Sequence, residues 1–207
     1  MDFSDNLDIM AELRTIHALA GHHLFPHCFG YVLPNVIVLQ LLGRYENGVL
    51  TVETVDKLKI VDEAIKTSYL CQISYQIIEG IRYMHQLGLL HNDIKGNNVI
   101  IHRKQVKIVD FGKVTLIANP ETYDLNESER TLYNVKHRYI AHELRNTPRL
   151  PQTILADTYS VGYIIKYVGY ENGCDFLYDV GRKMKSVAVR ERMSLFTALS
   201  LIKEFKC

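Results

Sequence analysis

The chain of 207 residues is long enough for one ordinary hydrophobic core, with room for two lobes. Apolar residues make up 47% and charged residues 23%, the balance of a globular protein rather than of a disordered segment. Against 24 basic residues stand 23 acidic ones, and the formal net charge of +1 excludes the basic footprint of a nucleic-acid binder. The first ten residues, "MDFSDNLDIM", are acidic and have no cationic start before an apolar core, so they do not read as a secretory signal. Apolar runs such as "VIVLQLL" are too short, or as in "YSVGYIIKYVGY" too polar, to span a bilayer, so no membrane association is expected. Cys28, Cys71, Cys174 and Cys207 lie far apart and form no C-x-x-C pair, which predicts reduced thiols in a cytoplasmic or nuclear protein.

In chain order, "LDIMAELRTIHAL" sets Leu7, Met10, Leu13, Ile16 and Leu19 at helical spacing and predicts an amphipathic helix ended by Gly21. "HCFGYV" and "VIVLQLL" predict two short strands joined through the turn formers Pro34 and Asn35. "DEAIKTSYLCQISYQIIEGIRYMHQLG" predicts a long helix that stops near Gly88. "VII" and "VKIV", joined by "HRKQ", predict a hairpin. "LADTYSVGYIIKYVGY" and "RERMSLFTALSLIKEF" both read as helical. The architecture expected is α+β, a small front end followed by a mostly helical body.

"LLHNDIKGNNVI", residues 89–100, interrupts apolar sequence with His91, Asp93, Lys95 and Asn98. Asn98 precedes the first hairpin strand and Asp110 follows the second. A tight turn folds the ends of a hairpin together, so these two should lie at one end, with Asp93 and Lys95 on the loop leading in. Two hard oxygen ligands close together suit Mg²⁺, which binds through a few protein oxygens plus substrate phosphates. A nearby carboxylate can accept a proton from a hydroxyl, and a lysine beside it can neutralise a migrating phosphoryl group.

"HNDIKGNN" resembles the catalytic loop of protein kinases, H-R-D-x-K-x-x-N, and "DFG" at 110–112 resembles their metal-binding motif. The resemblance implies ATP and Mg²⁺ as cofactors. Asp93 would be the catalytic base, Lys95 would contact the γ-phosphate, and Asn98 and Asp110 would hold the metal. His91, Phe111 and Gly112 would be structural members of the two motifs. "YIAHEL" resembles the A-P-E segment, with His142 in place of the proline, and implies a buried ion pair between Glu143 and Arg192 of "RERMS". "DTYSVG" resembles the start of the family's central helix, whose aspartate, here Asp157, anchors the catalytic loop; a plain N-cap would occupy the same place. "AELRTIHALAGHHLFPHCFGYV" resembles helix C followed by strand four, which makes Glu12 the helix C glutamate. "VIVLQLLG" resembles strand five and the adenine-gripping hinge, with Leu39 as gatekeeper and Gln40, Leu41 and Leu42 as hinge backbone. The implied fold is one kinase-like domain, with a remnant N-lobe and hinge over 1–43 and a C-lobe over 44–207.

The departures from the pattern set further expectations. No G-x-G-x-x-G occurs, and too few residues precede Glu12 for strands one to three, so the chain reads as truncated at its N-lobe. Asn92 replaces the arginine that pairs with activation-loop phosphate, and Lys136 stands where Ser/Thr kinases carry threonine. The stretch between the central helix and the last one is short. Lys95, two residues after Asp93, is the Ser/Thr pattern. The expected function is protein kinase, impaired in this chain, acting on a protein substrate; the alternative is a pseudokinase serving as a binding or scaffold module. "DFG", "YIAHEL" and "DTYSVG" argue against a small-molecule kinase. Self-association through the incomplete N-lobe sheet is a further expectation. His22, His23, His27 and Cys28 are near enough in sequence for Zn²⁺, but they lack a second pair at finger spacing.

Overall fold

The computed structural model describes residues 3–32, 36–147 and 149–205. Helix α1 (Phe3–Ala18) gives way to a turn in which Gly21 takes φ +84°, a conformation that favours glycine. Strands β1 (Cys28–Val32) and β2 (Val36–Leu39) pair antiparallel with Val32 opposite Val36, and a register shift lies between Cys28 and Gly30. The Pro34 and Asn35 turn expected between them lies outside the described residues, as do the side chain of Leu7 and Cys207. Strands β3 (Arg44–Glu46) and β4 (Val49–Thr51) form a hairpin on Asn47 and Gly48, both at positive φ. The sequence reading places nothing here, although Asn-Gly is the strongest short-range hairpin signal.

Strand β5 (Glu53–Thr54) leads through a 3-10 turn to the long helix α2 (Glu63–Gln86), which ends before Gly88 at φ +77°. Short strand β6 (Leu89–Leu90) follows, and then the hairpin of β7 (Val99–His102) and β8 (Gln105–Ile108). Its two turn residues, Arg103 and Lys104, both take positive φ without a glycine. Strand β5 pairs with β7, giving a three-stranded sheet in the order β5-β7-β8. Strand β9 (Thr115–Leu116) pairs back with β6, and β10 (Thr122–Tyr123) pairs with β11 (Leu150–Pro151). Between β10 and β11 lie helices α3 (Glu127–Lys136) and α4 (His142–Asn146). Helix α3 is absent from the sequence reading. It buries no side chain and is held by a capping box, with Asn126 and Glu129 each bonding the other's backbone N–H.

Three helices complete the chain: α5 (Ile154–Glu171), α6 (Asp175–Met184) and α7 (Leu195–Glu204). The last helix begins later than its apolar pattern suggests. Ser194 caps it by accepting from Thr197 N–H, and residues Val189–Glu191 form a separate 3-10 turn. Only the ten-residue α6 stands between α5 and α7, in keeping with the short stretch noted above. The core lies where α2, α5, α6 and α7 meet, with Ile73, Ile77, Ile165, Leu177 and Met184 fully enclosed. Helices α5 and α6 approach closely because their contact is made at glycines: a Cβ on Gly181 would collide with the backbone of Lys166, and one on Gly162 with Met184. The fold is therefore α+β, a helical body carrying several small antiparallel sheets.

Candidate active site

The loop between β6 and β7 is held from below by the first turn of α5. Asp157 is almost wholly buried, and its Oδ2 accepts from His91 N–H at 2.9 Å while Oδ1 accepts from Asn92 N–H at 3.0 Å. His85 Nε2 lies 2.9 Å from the same Oδ2, so α2 and α5 grip the loop together. Asn92 takes φ +66°, a conformation asparagine tolerates better than most residues. Its side-chain nitrogen donates to Lys113 O at 2.8 Å and Thr115 Oγ1 at 2.9 Å, tying the segment after Phe111 to the loop. His91 is completely buried against Phe111, with ring centroids 5.9 Å apart. Burial pushes its imidazole below the ordinary value, which the nearby Asp157 only partly opposes, and the ring is held neutral.

Asp93 sits at the mouth of this loop, 3% exposed. Lys95 Nζ donates to its Oδ2 at 2.7 Å and Lys113 Nζ stands 3.6 Å from the same oxygen. Tyr139 OH donates to Oδ1 at 3.3 Å. Burial alone would raise the carboxyl, but the Lys95 hydrogen bond and the charge of Lys113 outweigh it, and Asp93 is held below the usual carboxylate value. Burial, and then the Asp93 charge, push the Tyr139 phenol well above its ordinary value, so it stays protonated and donates. Asn98 Nδ2 donates both to Asp93 O and to Asp110 Oδ2, each at 3.0 Å. The hairpin therefore brings Asn98 and Asp110 to one end, and Asp110, at φ +70°, turns out toward solvent. Gly112 follows in the open, and an added Cβ there would meet Asp110 Oδ1 at 3.9 Å. The remaining oxygen of Asn98 and the Asp110 carboxylate are hard donors of the kind Mg²⁺ takes.

The other sequence-derived residues fall in three places. Glu12, half-buried on α1, reaches the far side of the same cluster. Its carboxyl is raised above the ordinary value first by burial and then by Asp110, and lowered in part by a hydrogen bond from the Phe111 backbone. Leu39, Gln40, Leu41 and Leu42 run from the end of β2 toward β3. Gln40 N–H donates to His27 O at 2.7 Å, His27 N–H returns to Gln40 Oε1 at 3.3 Å, Leu42 is buried and Leu41 exposed. Gly43 N–H donates to His102 Nδ1 at 3.2 Å, which joins this segment to β7. Glu143 and Arg192 form a bidentate pair away from the loop, with NH1 to Oε1 at 2.9 Å and NH2 to Oε2 at 3.0 Å. The Arg192 side chain is completely buried; it also donates to Leu155 O and Ser186 O and packs over the Tyr159 ring.

Tyr139 and Lys113 belong to the cluster but are not picked out by the sequence reading. Lys113 follows "DFG" and Tyr139 opens "YIAHEL", yet nothing in local spacing aims them at Asp93; the fold supplies that. His22 stacks on Tyr83 at 4.1 Å, and among the described residues no three His, Cys, Asp or Glu side chains gather to hold an ion. No described helix is long and apolar enough to cross a membrane.

Comparison with known proteins gives the arrangement a family. Residues 9–198 match the protein kinase domain. The chain is 34% identical over 118 residues to mitogen-activated protein kinase kinase 2 of Arabidopsis thaliana, a match covering 49% of this chain and 32% of that protein. It is 36% identical over 93 residues to serine/threonine-protein kinase plk-2 of Caenorhabditis elegans, covering 44% of this chain and 13% of that protein. Its identity to Wee1-like protein kinase 2 of Xenopus tropicalis is 27% over 186 residues, covering 76% of this chain and 30% of that protein. The chain thus spans at most about a third of the length of these relatives. With the domain match running through α1, the Asp93 loop and α7, the chain belongs to the protein kinase family.

Proposed function

We propose that this chain carries a serine/threonine phosphotransfer site in which Asp93 accepts the proton of the substrate hydroxyl. The observation that most supports this reading is the convergence of Asp93 with Lys95 at 2.7 Å and of Asn98 with Asp110 at 3.0 Å, all at one end of the β7–β8 hairpin. A carboxylate held below its ordinary range is in the ionised form that a proton acceptor requires. Lys95 is placed to neutralise charge on the migrating phosphoryl group and matches the Ser/Thr pattern. Asn98 and Asp110 would hold Mg²⁺, which when bound neutralises phosphate charge. Leu39 to Leu42 would line the adenine side, and because Gln40 N–H is already given to His27, the backbone of Leu41 and Leu42 would meet the base. Asn92 offers no charge to a phosphate on Thr122, Ser128 or Thr131. It ties the activation segment through Lys113 and Thr115 instead, so phosphatase treatment of an active form is expected to leave activity unchanged.

Activity of residues 1–207 by themselves is expected to be impaired. They contain no glycine-rich phosphate loop, and Glu12 takes the Phe111 backbone rather than a lysine. Losing one preorganised contact costs on the order of 10²–10³ in rate, so only trace phosphotransfer and weak, Mg²⁺-dependent ATP binding are expected. A second reading, a binding or scaffold module, is favoured by one feature: both Asp93 oxygens are already engaged, by Tyr139 on one and by lysines on the other. The exposed Phe29, Tyr31 and Val36 on the β1–β2 ribbon also support self-association through that sheet, which sedimentation velocity tests.

The deciding experiment supplies radiolabelled ATP, Mg²⁺ and a mixed protein substrate to purified residues 1–207 and to the Asp93→Asn variant. Trace phosphoserine and phosphothreonine, lost in the variant, is the expected result. Robust turnover would contradict the impairment, label that survives Asp93→Asn would contradict the assignment of the base, and phosphotyrosine alone would overturn the substrate class. ATP binding with no transfer at all would select the scaffold reading.

A further inference from the structure

On the opposite side of α5 from the Asp93 loop residues that Asp157 holds, the sequence builds a second polar feature to which the phosphotransfer reading gives no role. It follows from the glycine contact between α5 and α6. Gly162, Gly169 and Gly181 let the two backbones touch, and side chains beside the contact line a shared rim. There Tyr163, Lys166, Tyr167 and Tyr170 of α5 meet Tyr178 of α6 and Lys185 just beyond it, around a pocket of about 240 Å³. Lys166 Nζ lies 5.0 Å from the Tyr178 ring centroid, and Lys185 Nζ lies 5.3 Å from that of Tyr163 and 5.5 Å from that of Tyr159.

Both ammonium groups are held by ring faces. Among the described residues, neither has a carboxylate within ion-pair distance. The same two lysines also border an adjoining depression of about 410 Å³ with Arg182 and Lys183. Glu191 lines that depression and Asp179 is taken by Arg182; on the Tyr167 side stand Glu171, paired with Lys59, and Asp56. The repulsion is felt inside the cluster: burial, and then the charges of Lys166, Arg145 and Arg138, push the Lys185 ammonium below its ordinary value. Lys166, Lys183 and Lys185 against the single Glu191 of that lining, in a chain whose net charge is only +1, leave a local excess of positive charge that an anion would relieve.

We propose that the Lys166–Lys185 pocket is a docking site for an acidic peptide segment of a protein partner. One anionic side chain would sit between the two lysines, and the peptide would run over the exposed rings of Tyr167 and Tyr170, which are 37% and 72% exposed. Aromatic rims of this sort give rigid contact area at small entropic cost and are favoured in protein recognition. A chain with 24 basic and 23 acidic residues has no overall basic excess of the kind nucleic-acid binders carry, so an acidic peptide is the favoured occupant and an oligonucleotide is an arm of the test.

The test is fluorescence anisotropy with three labelled probes: a glutamate-rich peptide, its glutamine-substituted twin and a single-stranded oligonucleotide. No nucleotide is added, so the outcome does not depend on phosphotransfer. Saturable binding of the glutamate peptide is expected, with the glutamine twin much weaker. Lys166→Gln and Lys185→Gln should each weaken it about tenfold or more, as for loss of a charge-assisted contact. Lys185 packs on two rings and Lys166 on one, so melting curves accompany both variants, and Lys166→Gln carries the decision if Lys185→Gln melts early. Equal binding of the two peptides, unchanged binding in a variant that melts normally, tighter binding of the oligonucleotide, or no binding would each overturn the proposal.

Discussion

The helical body and the β1–β2 ribbon face the same task, covering apolar surface, with opposite results. In the body Ile73, Ile77, Ile165 and Leu177 are wholly enclosed, and the buried charges of Asp157 and Arg192 are matched by partners. On the ribbon Phe29, Tyr31, Val32 and Val36 leave 68%, 60%, 58% and 55% of their surface in water. A two-stranded ribbon is marginal by itself. The residues around Asp93 hang from the body, whereas Leu39 to Leu42 continue the ribbon. The lesson is that the loop bearing Asp93 is anchored by helices α2 and α5, independently of how well the β1–β2 ribbon is covered.

Substitutions break or sharpen that contrast in a definite order. Arg192→Ala removes a fully buried guanidinium and strands Glu143, Leu155 O and Ser186 O, so it should cost about 3–5 kcal/mol in urea unfolding. Gly181→Ala forces α6 off the backbone of α5 and should cost about 1–3 kcal/mol by the same measurement. The buried, neutral His91 supplies a pH signature. Its imidazole is depressed in the fold, so below the ordinary value of 6.5 the unfolded chain binds a proton that the folded chain refuses. Stability should then fall with decreasing pH by about 1.4 kcal/mol per unit from this group, and a His91→Phe variant should lose that part of the slope. The smallest effect belongs to the ribbon: Phe29→Ser and Val38→Thr should shift stability by no more than about 0.5 kcal/mol. A large loss there would mean that the ribbon is integral to the core.

What could be read from the sequence follows the same division. The placement of Asn98 beside Asp110 depends on one tight turn, and a local pattern reports a local geometry. The long helix α2 and the central helix α5 were legible because their apolar periodicity is uninterrupted. Helix α3 was not, because its stability comes from an end cap and it buries nothing, so periodicity carries no trace of it. The β3–β4 hairpin was signalled only by Asn47 and Gly48, between flanks that are exposed at every position and therefore show no alternation. Tyr139 meets Asp93 across 46 positions, a tertiary contact with no local signature.

Amide hydrogen exchange on the monodisperse chain tests the contrast most directly. The account predicts slow exchange across residues 70–85 of α2 and at the His91 and Asn92 amides that Asp157 accepts, with fast exchange across β1 and β2. Protection of residues 28–32 and 36–39 equal to that of α2, or rapid exchange at His91 and Asn92, would contradict it.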